Sequence, residues 1–88
     1  MGTGKEPFSL AVEIGRRVRR QRVKLGITQE GLAERSGFHV TWISSVENGR
    51  RNLSVVSLVR LASALEVDPS RLVRGLGPEE PPTGNRSG

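Results

Sequence analysis

Residues 29–48 read QEGLAERSGFHVTWISSVEN, and this stretch decides the fold. Leu32, Ala33 and Ser36 share one face of a helix, and Ile43, Val46 and Glu47 share one face of a second. Those spacings are helical. Gly37 lies between the two runs, where the chain must reverse with a positive φ that glycine adopts without steric cost. Ala33 is small where the helices cross, and Phe38 plugs the end of the pair. Thr28 precedes the first helix as an N-cap, and Glu30 puts a carboxylate near its positive end. The outer face of the second helix carries His39, Val40, Thr41, Ser44, Ser45 and Asn48, groups that hide little. A rigid helix pair presenting one such face has the geometry of a helix-turn-helix whose second helix enters the DNA major groove.

Residues 18–73 resemble the Cro/C1-type, phage-repressor-like helix-turn-helix domain. The resemblance is carried by Arg22 with Gly26, Ile27, Thr28 and Gln29, then by Leu32, Ala33, Glu34, Gly37, Ile43 and Ser44. Glu47, Asn48 and Gly49 follow, with Leu61, Ala62, Ala64 and Leu65. It implies an all-α, compact, five-helix, lambda-repressor-like fold. The segment from His39 to Ser54 also resembles the controller proteins of restriction–modification systems. Those controllers usually carry arginine after the histidine, where this chain has Val40.

Eighty-eight residues make one small domain. Such a chain buries only ~60–65% of its unfolded surface, so pairing with a second copy would add stability. Aromatics are scarce, which leaves Leu, Val, Ile and Ala to build the core. Cysteine is absent, which excludes disulfides, thiolate catalysis and zinc–thiolate sites. The net charge of +5 favours a polyanionic partner. No apolar run approaches the ~18 residues of a membrane span, and the N-terminus lacks a signal-peptide core. Gly2 suits myristoylation, but Glu6 stands where Ser or Thr is needed. A cytoplasmic, nucleoid-associated protein is expected.

Taken in order, residues 1–8 form a flexible arm ending near Pro7. The helix-turn-helix domain is expected over residues 9–74, with the motif at 29–48. Ser9 caps a helix to about Leu25, with Leu10, Ile14, Val18 and Leu25 at a 3.6 period. Its other face holds Arg16, Arg17, Arg19, Arg20, Arg22 and Lys24, cations that repel one another on a helix. A phosphate backbone would relieve that repulsion, and Arg17 and Arg20 are taken as its contacts. Gly26 ends this helix. After the motif, Asn48 to Asn52 is a turn whose Arg50 and Arg51 are further phosphate candidates. Ser54 caps a helix of about Val55–Leu65; Val55, Val56 and Val59 widen its apolar stripe, so it is expected to be buried on most sides. Asp68 and Pro69 signal a last short helix to about Arg74. Its Leu72 and Val73 either seal the core or meet a second copy, and we take the dimer interface as the reading to test. Residues 75–88, with three prolines and four glycines, are expected to be a disordered tail.

Val40 and Thr41 match the family's main base-reading positions, with Ser44 and Ser45 beside them. Valine offers only a surface for thymine methyls, and Thr41 adds one hydroxyl bond. Such a helix relies partly on DNA shape. In the family, the glutamine matching Gln29 bonds a phosphate, and the arginine and glutamate matching Arg22 and Glu47 form a structural pair. His39 touches a phosphate or merely caps its helix. Trp42 is partly buried or sets its indole N–H on a phosphate. Asn48 completes the edge contacts.

The function these residues imply is a sequence-specific transcriptional regulator. It binds double-stranded DNA as a homodimer on a (pseudo)palindromic operator, because one recognition helix covers half a site. The alternative is a protein-interaction module of antitoxin or adaptor type. No clustered nucleophile and base is present, so no enzyme is expected. Nor is a metal, cofactor or small-molecule ligand.

Overall fold

The computed structural model describes residues 9–78. The expected arm at 1–8 and the greater part of the expected tail, 79–88, lie outside the described residues. Five helices follow in order: α1 Leu10–Leu25, α2 Gln29–Ser36, α3 Val40–Glu47, α4 Val55–Ala64 and α5 Ser70–Val73. There is no strand among the described residues, and no described helix is long and apolar enough to cross a membrane.

Four of the five helix starts have a local side-chain cause. Ser9 Oγ accepts from Val12 N at 3.3 Å, Thr28 Oγ1 from Gly31 N at 2.9 Å, and Ser54 Oγ from Ser57 N at 3.0 Å. These bonds satisfy amides that have no partner within their own helix. Asp68 Oδ1 accepts from Ser70 N at 2.8 Å. That bond holds the Asp68 carboxyl below its ordinary range. Pro69 already has helical φ and ψ, so the expected start signal works as read. Gly37 closes α2 at φ +81°, the left-handed value that permits the reversal into α3.

Val18, Leu32, Ile43, Val46, Leu61, Leu65 and Leu72 are sealed from solvent, so every helix sends a side chain into one core. Two expectations change here. Leu72 is 1% exposed. It seals the core of its own chain and is not an interface residue; only Val73 of that pair stays exposed. Helix α4 is also less buried than its valines suggest, for Val55 is 76% and Val56 67% exposed, with Val59 exposed beside them. Leu58, Leu61, Ala62 and Leu65 occupy the inward stripe. The valines sit on the flank beside that stripe and stay exposed. The chain past Arg74 is described to Pro78, with Leu76 N donating to Val73 O at 3.1 Å.

Candidate nucleic-acid interface

The α2–α3 pair is locked by a charge cluster. Arg22 reaches from α1 and donates through Nε to Glu47 Oε2 at 2.6 Å and through Nη2 to Oε1 at 3.1 Å. Its third donor, Nη1, meets Ile27 O at 2.8 Å. Gln29, at the first position of α2, donates to Glu47 Oε1 at 3.1 Å. The Glu47 carboxylate is 3% exposed and the Arg22 side chain 13%. A bidentate guanidinium–carboxylate pair removed from water is held in one geometry. The hydrogen bond to Glu47 raises the Arg22 pKa above its ordinary value against the opposing effect of burial. Three helices thus meet at one carboxylate at the C-terminal end of α3. The Gln29 amide has a second N–H, which keeps a donor available for a phosphate.

Gly15 explains how α1 approaches so closely. A Cβ there would overlap the Val46 carbonyl oxygen. At the other end of α3, Phe38 stacks on Trp42 with ring centroids 4.2 Å apart. The Arg60 guanidinium lies 4.4 Å from the Phe38 centroid and donates to Ser36 O at 2.9 Å. Helix α4 is thereby tied to the turn that aims α3.

The residues singled out on α3 fall on one arc. At 3.6 residues per turn, Val40, Thr41, Ser44, Ser45 and Asn48 span roughly 140° of its surface. Ile43 and Val46 lie on the buried side. Thr41 is exposed, and Val40, Ser44 and Ser45 are half-buried. Ser45 donates to Thr41 O at 3.1 Å, leaving its oxygen to accept. Asn48 donates to Ser44 O at 2.9 Å. His39 stands at the N-cap without a side-chain capping bond, so it is not acting as a substitute cap. Trp42 is half-buried against Phe38. Arg50 and Arg51 are exposed in the turn that follows α3.

Arg17 and Arg20 are not placed with this face. Arg17 donates to Glu13 at 3.1 Å and to the Arg74 carbonyl at 2.8 Å, which fastens α1 to the end of α5. On an ideal helix Arg17 lies roughly 160° around the axis from Gly15, and Arg20 roughly 140°. Both line a cleft between α1 and α5. Their assignment as contacts beside the α3 face is therefore corrected. Charge counting along α1 missed Glu13, which stands one turn before the basic run and bonds both Arg16 and Arg17. The hydrogen bond from Arg17 is the largest influence on its carboxyl, which titrates below the ordinary glutamate range. The i,i+3 and i,i+4 spacing was a legible signal for those pairs. Nothing in the sequence near Phe38 pointed to Arg60.

No group of three or more His, Cys, Asp or Glu that could hold a metal occurs among the described residues.

A family model for the helix-turn-helix domain matches residues 13–74. The uncharacterized HTH-type transcriptional regulator y4dJ of Sinorhizobium fredii is 42% identical over 73 residues, spanning 83% of this chain and 92% of that protein. Among solved structures, the restriction–modification controller protein C.AhdI from Aeromonas hydrophila is similar, with a TM-score of 0.69 and 40% identity. That match covers 70% of this chain and 94% of the controller. The controller protein C.Esp1396I, solved as a tetramer with its natural 35 base-pair operator, gives a TM-score of 0.67 at 33% identity, covering 72% of this chain and 83% of that one. The family-model match reaches five residues further toward the N-terminus than the motif resemblance, taking in Glu13. With the fold, the Arg22–Glu47–Gln29 cluster and these similarities in agreement, the chain belongs to the helix-turn-helix domain family, in the Cro/C1-like form that its motif residues resemble.

Proposed function

We propose that the protein is a sequence-specific DNA-binding transcriptional regulator that sets α3 in the major groove and acts as a homodimer. The observation that carries this reading is α3 itself. Its inner side is fixed by the core and by Glu47, while its outer arc is short, polar apart from Val40, and free of bulky side chains. Val40 and Thr41 read bases through methyl groups and one hydroxyl, with Ser44 and Ser45 close behind. Gln29, Asn48, Arg50 and Arg51 hold phosphates on either side, and His39 and the Trp42 indole meet the backbone at the N-terminal end of α3. The two relatives described as a transcriptional regulator and as an operator-bound controller support the same role.

The second copy meets the exposed valines of α4, Val55, Val56 and Val59, with Val73 as a candidate neighbour on α5. Apolar side chains left in water on one flank of a helix gain from mutual burial. Two copies related by a two-fold axis would place their recognition helices about 34–36 Å apart, one turn of DNA. No catalytic role is proposed.

Selection of bound fragments from the source genome, followed by footprinting, tests this reading. The expected result is a protected dyad of half-sites one helical turn apart. Uniform protection without preferred fragments would count against a sequence-specific regulator.

A further inference from the structure

A cleft between α1 and α5 is lined mainly by arginines. It encloses about 300 Å³ and is lined by Arg17, Arg20, Arg71 and Arg74, with Glu13 and Val67 among its walls. Glu13 offsets part of that charge through its pairs with Arg16 and Arg17, which leaves Arg20, Arg71 and Arg74 in excess. Arg17 is further fixed on the Arg74 carbonyl. Arg20, Arg71 and Arg74 have no ion-pair partner among the described residues. Their like charges converge on one cleft, with Asp68 attracting Arg74 from outside its lining, and a bound anion lowers the remaining repulsion.

The operator held by α3 is not the occupant. Arg17 and Arg20 project from the side of α1 away from Gly15, which packs on the C-terminal end of α3. The volume lies at the small end of ligand sites, ~300–1,000 Å³. It suits a compact ion of high charge density rather than a folded partner. Guanidinium forks match phosphate oxygens in pairs. A diphosphate places several negative charges on adjacent oxygens and so engages more than one arginine at once.

We infer that the α1–α5 cleft binds a diphosphate group, either as the free inorganic ion or as part of a nucleotide. Occupancy would brace α5 against α1 through Arg71, Arg74 and Arg20. The domain would then answer to a small molecule at a surface remote from its DNA-reading face.

The test is calorimetric titration of the full chain with inorganic pyrophosphate at fixed salt, repeated with sulfate and with guanosine diphosphate. One pyrophosphate per chain is expected. Changing Arg20→Gln together with Arg71→Gln should weaken it by at least about tenfold, the loss of one or two charge-assisted bonds. Arg50→Gln with Arg51→Gln should leave it within about twofold, and sulfate should bind at least about tenfold more weakly. Tighter binding of guanosine diphosphate than of pyrophosphate identifies the nucleotide as the source, and equal binding identifies the inorganic ion. Absence of saturable binding overturns the inference. So does an equal loss in the Arg50/Arg51 variant, which would reveal diffuse attraction. Stronger competition by a glutamate-rich peptide than by pyrophosphate would assign the cleft to an acidic protein segment and overturn it as well.

Discussion

Arg22 and Glu47 are worth more together than either is alone. Arg22→Met would leave the Glu47 carboxylate buried with only Gln29 for a partner. We expect a loss of about 3–5 kcal/mol by chemical denaturation, because an unpaired charge cannot regain its water. Arg22→Met combined with Glu47→Leu should recover most of that loss; equal destabilisation in both would mean that the pair is not the cause. Base reading is decided at the same scale. Arginine in place of Val40 gains a bidentate contact to guanine worth ~1–3 kcal/mol against a wrong base. Val40→Arg should therefore shift preference toward guanine at one position of each half-site. Thr41→Ala should relax the neighbouring position and spare non-specific affinity. Binding to a library of single-base operator variants at fixed salt reads both, and a preference unchanged by either substitution removes α3 from the bases. The Arg22–Glu47 pair and the identity of the outward side chains were both legible in sequence, because the motif fixes their spacing. The Arg60–Phe38 stack was not: its members lie 22 positions apart, one on α4 and the other in the α2–α3 turn.

Between helices, close approach and charge placement matter more than propensity. Gly15→Ala improves helix propensity by roughly 1 kcal/mol on an isolated helix. Here the added methyl must displace α3 at Val46. The expected outcome is net destabilisation with helical content retained, together with weakened specific DNA binding; a higher melting temperature would show that α3 yields freely. The basic residues divide by element. Binding should fall linearly in log salt at about 0.9 per neutralised phosphate. Arg50→Ala with Arg51→Ala should flatten that slope, whereas Arg17→Ala with Arg20→Ala should leave it nearly unchanged. A slope altered only by the second pair would reverse the assignment made from the fold. Sequence periodicity placed five helices and most of their ends, since serine, threonine, aspartate and glycine act locally at those ends. It did not sort the α1 arginines, because the run is basic on nearly every side and only packing against α5 tells one flank from another.

For the whole molecule, the question is what covers the flank of α4. Val59→Asp should give monomers that keep the native helical spectrum and lose specific DNA affinity, measured by sedimentation and anisotropy. Leu72→Asp should instead unfold the domain, since a carboxylate at a sealed core position has neither water nor a partner. A folded, monomeric Leu72→Asp protein would restore the interface to α5. Apolar periodicity marked both sets of residues without separating them: a valine against a partner copy and a leucine inside the core look alike in sequence. The Phe38–Trp42 stack carries a consequence of another kind. Trp42 is the single tryptophan of the chain and the sequence has no tyrosine, so one indole supplies almost all of the near-ultraviolet emission. It sits half-covered against Phe38, the ring that Arg60 also meets, beside the α2–α3 turn. Its emission is thus a built-in optical gauge, shifting red when the fold opens and changing when DNA approaches α3, with no label attached.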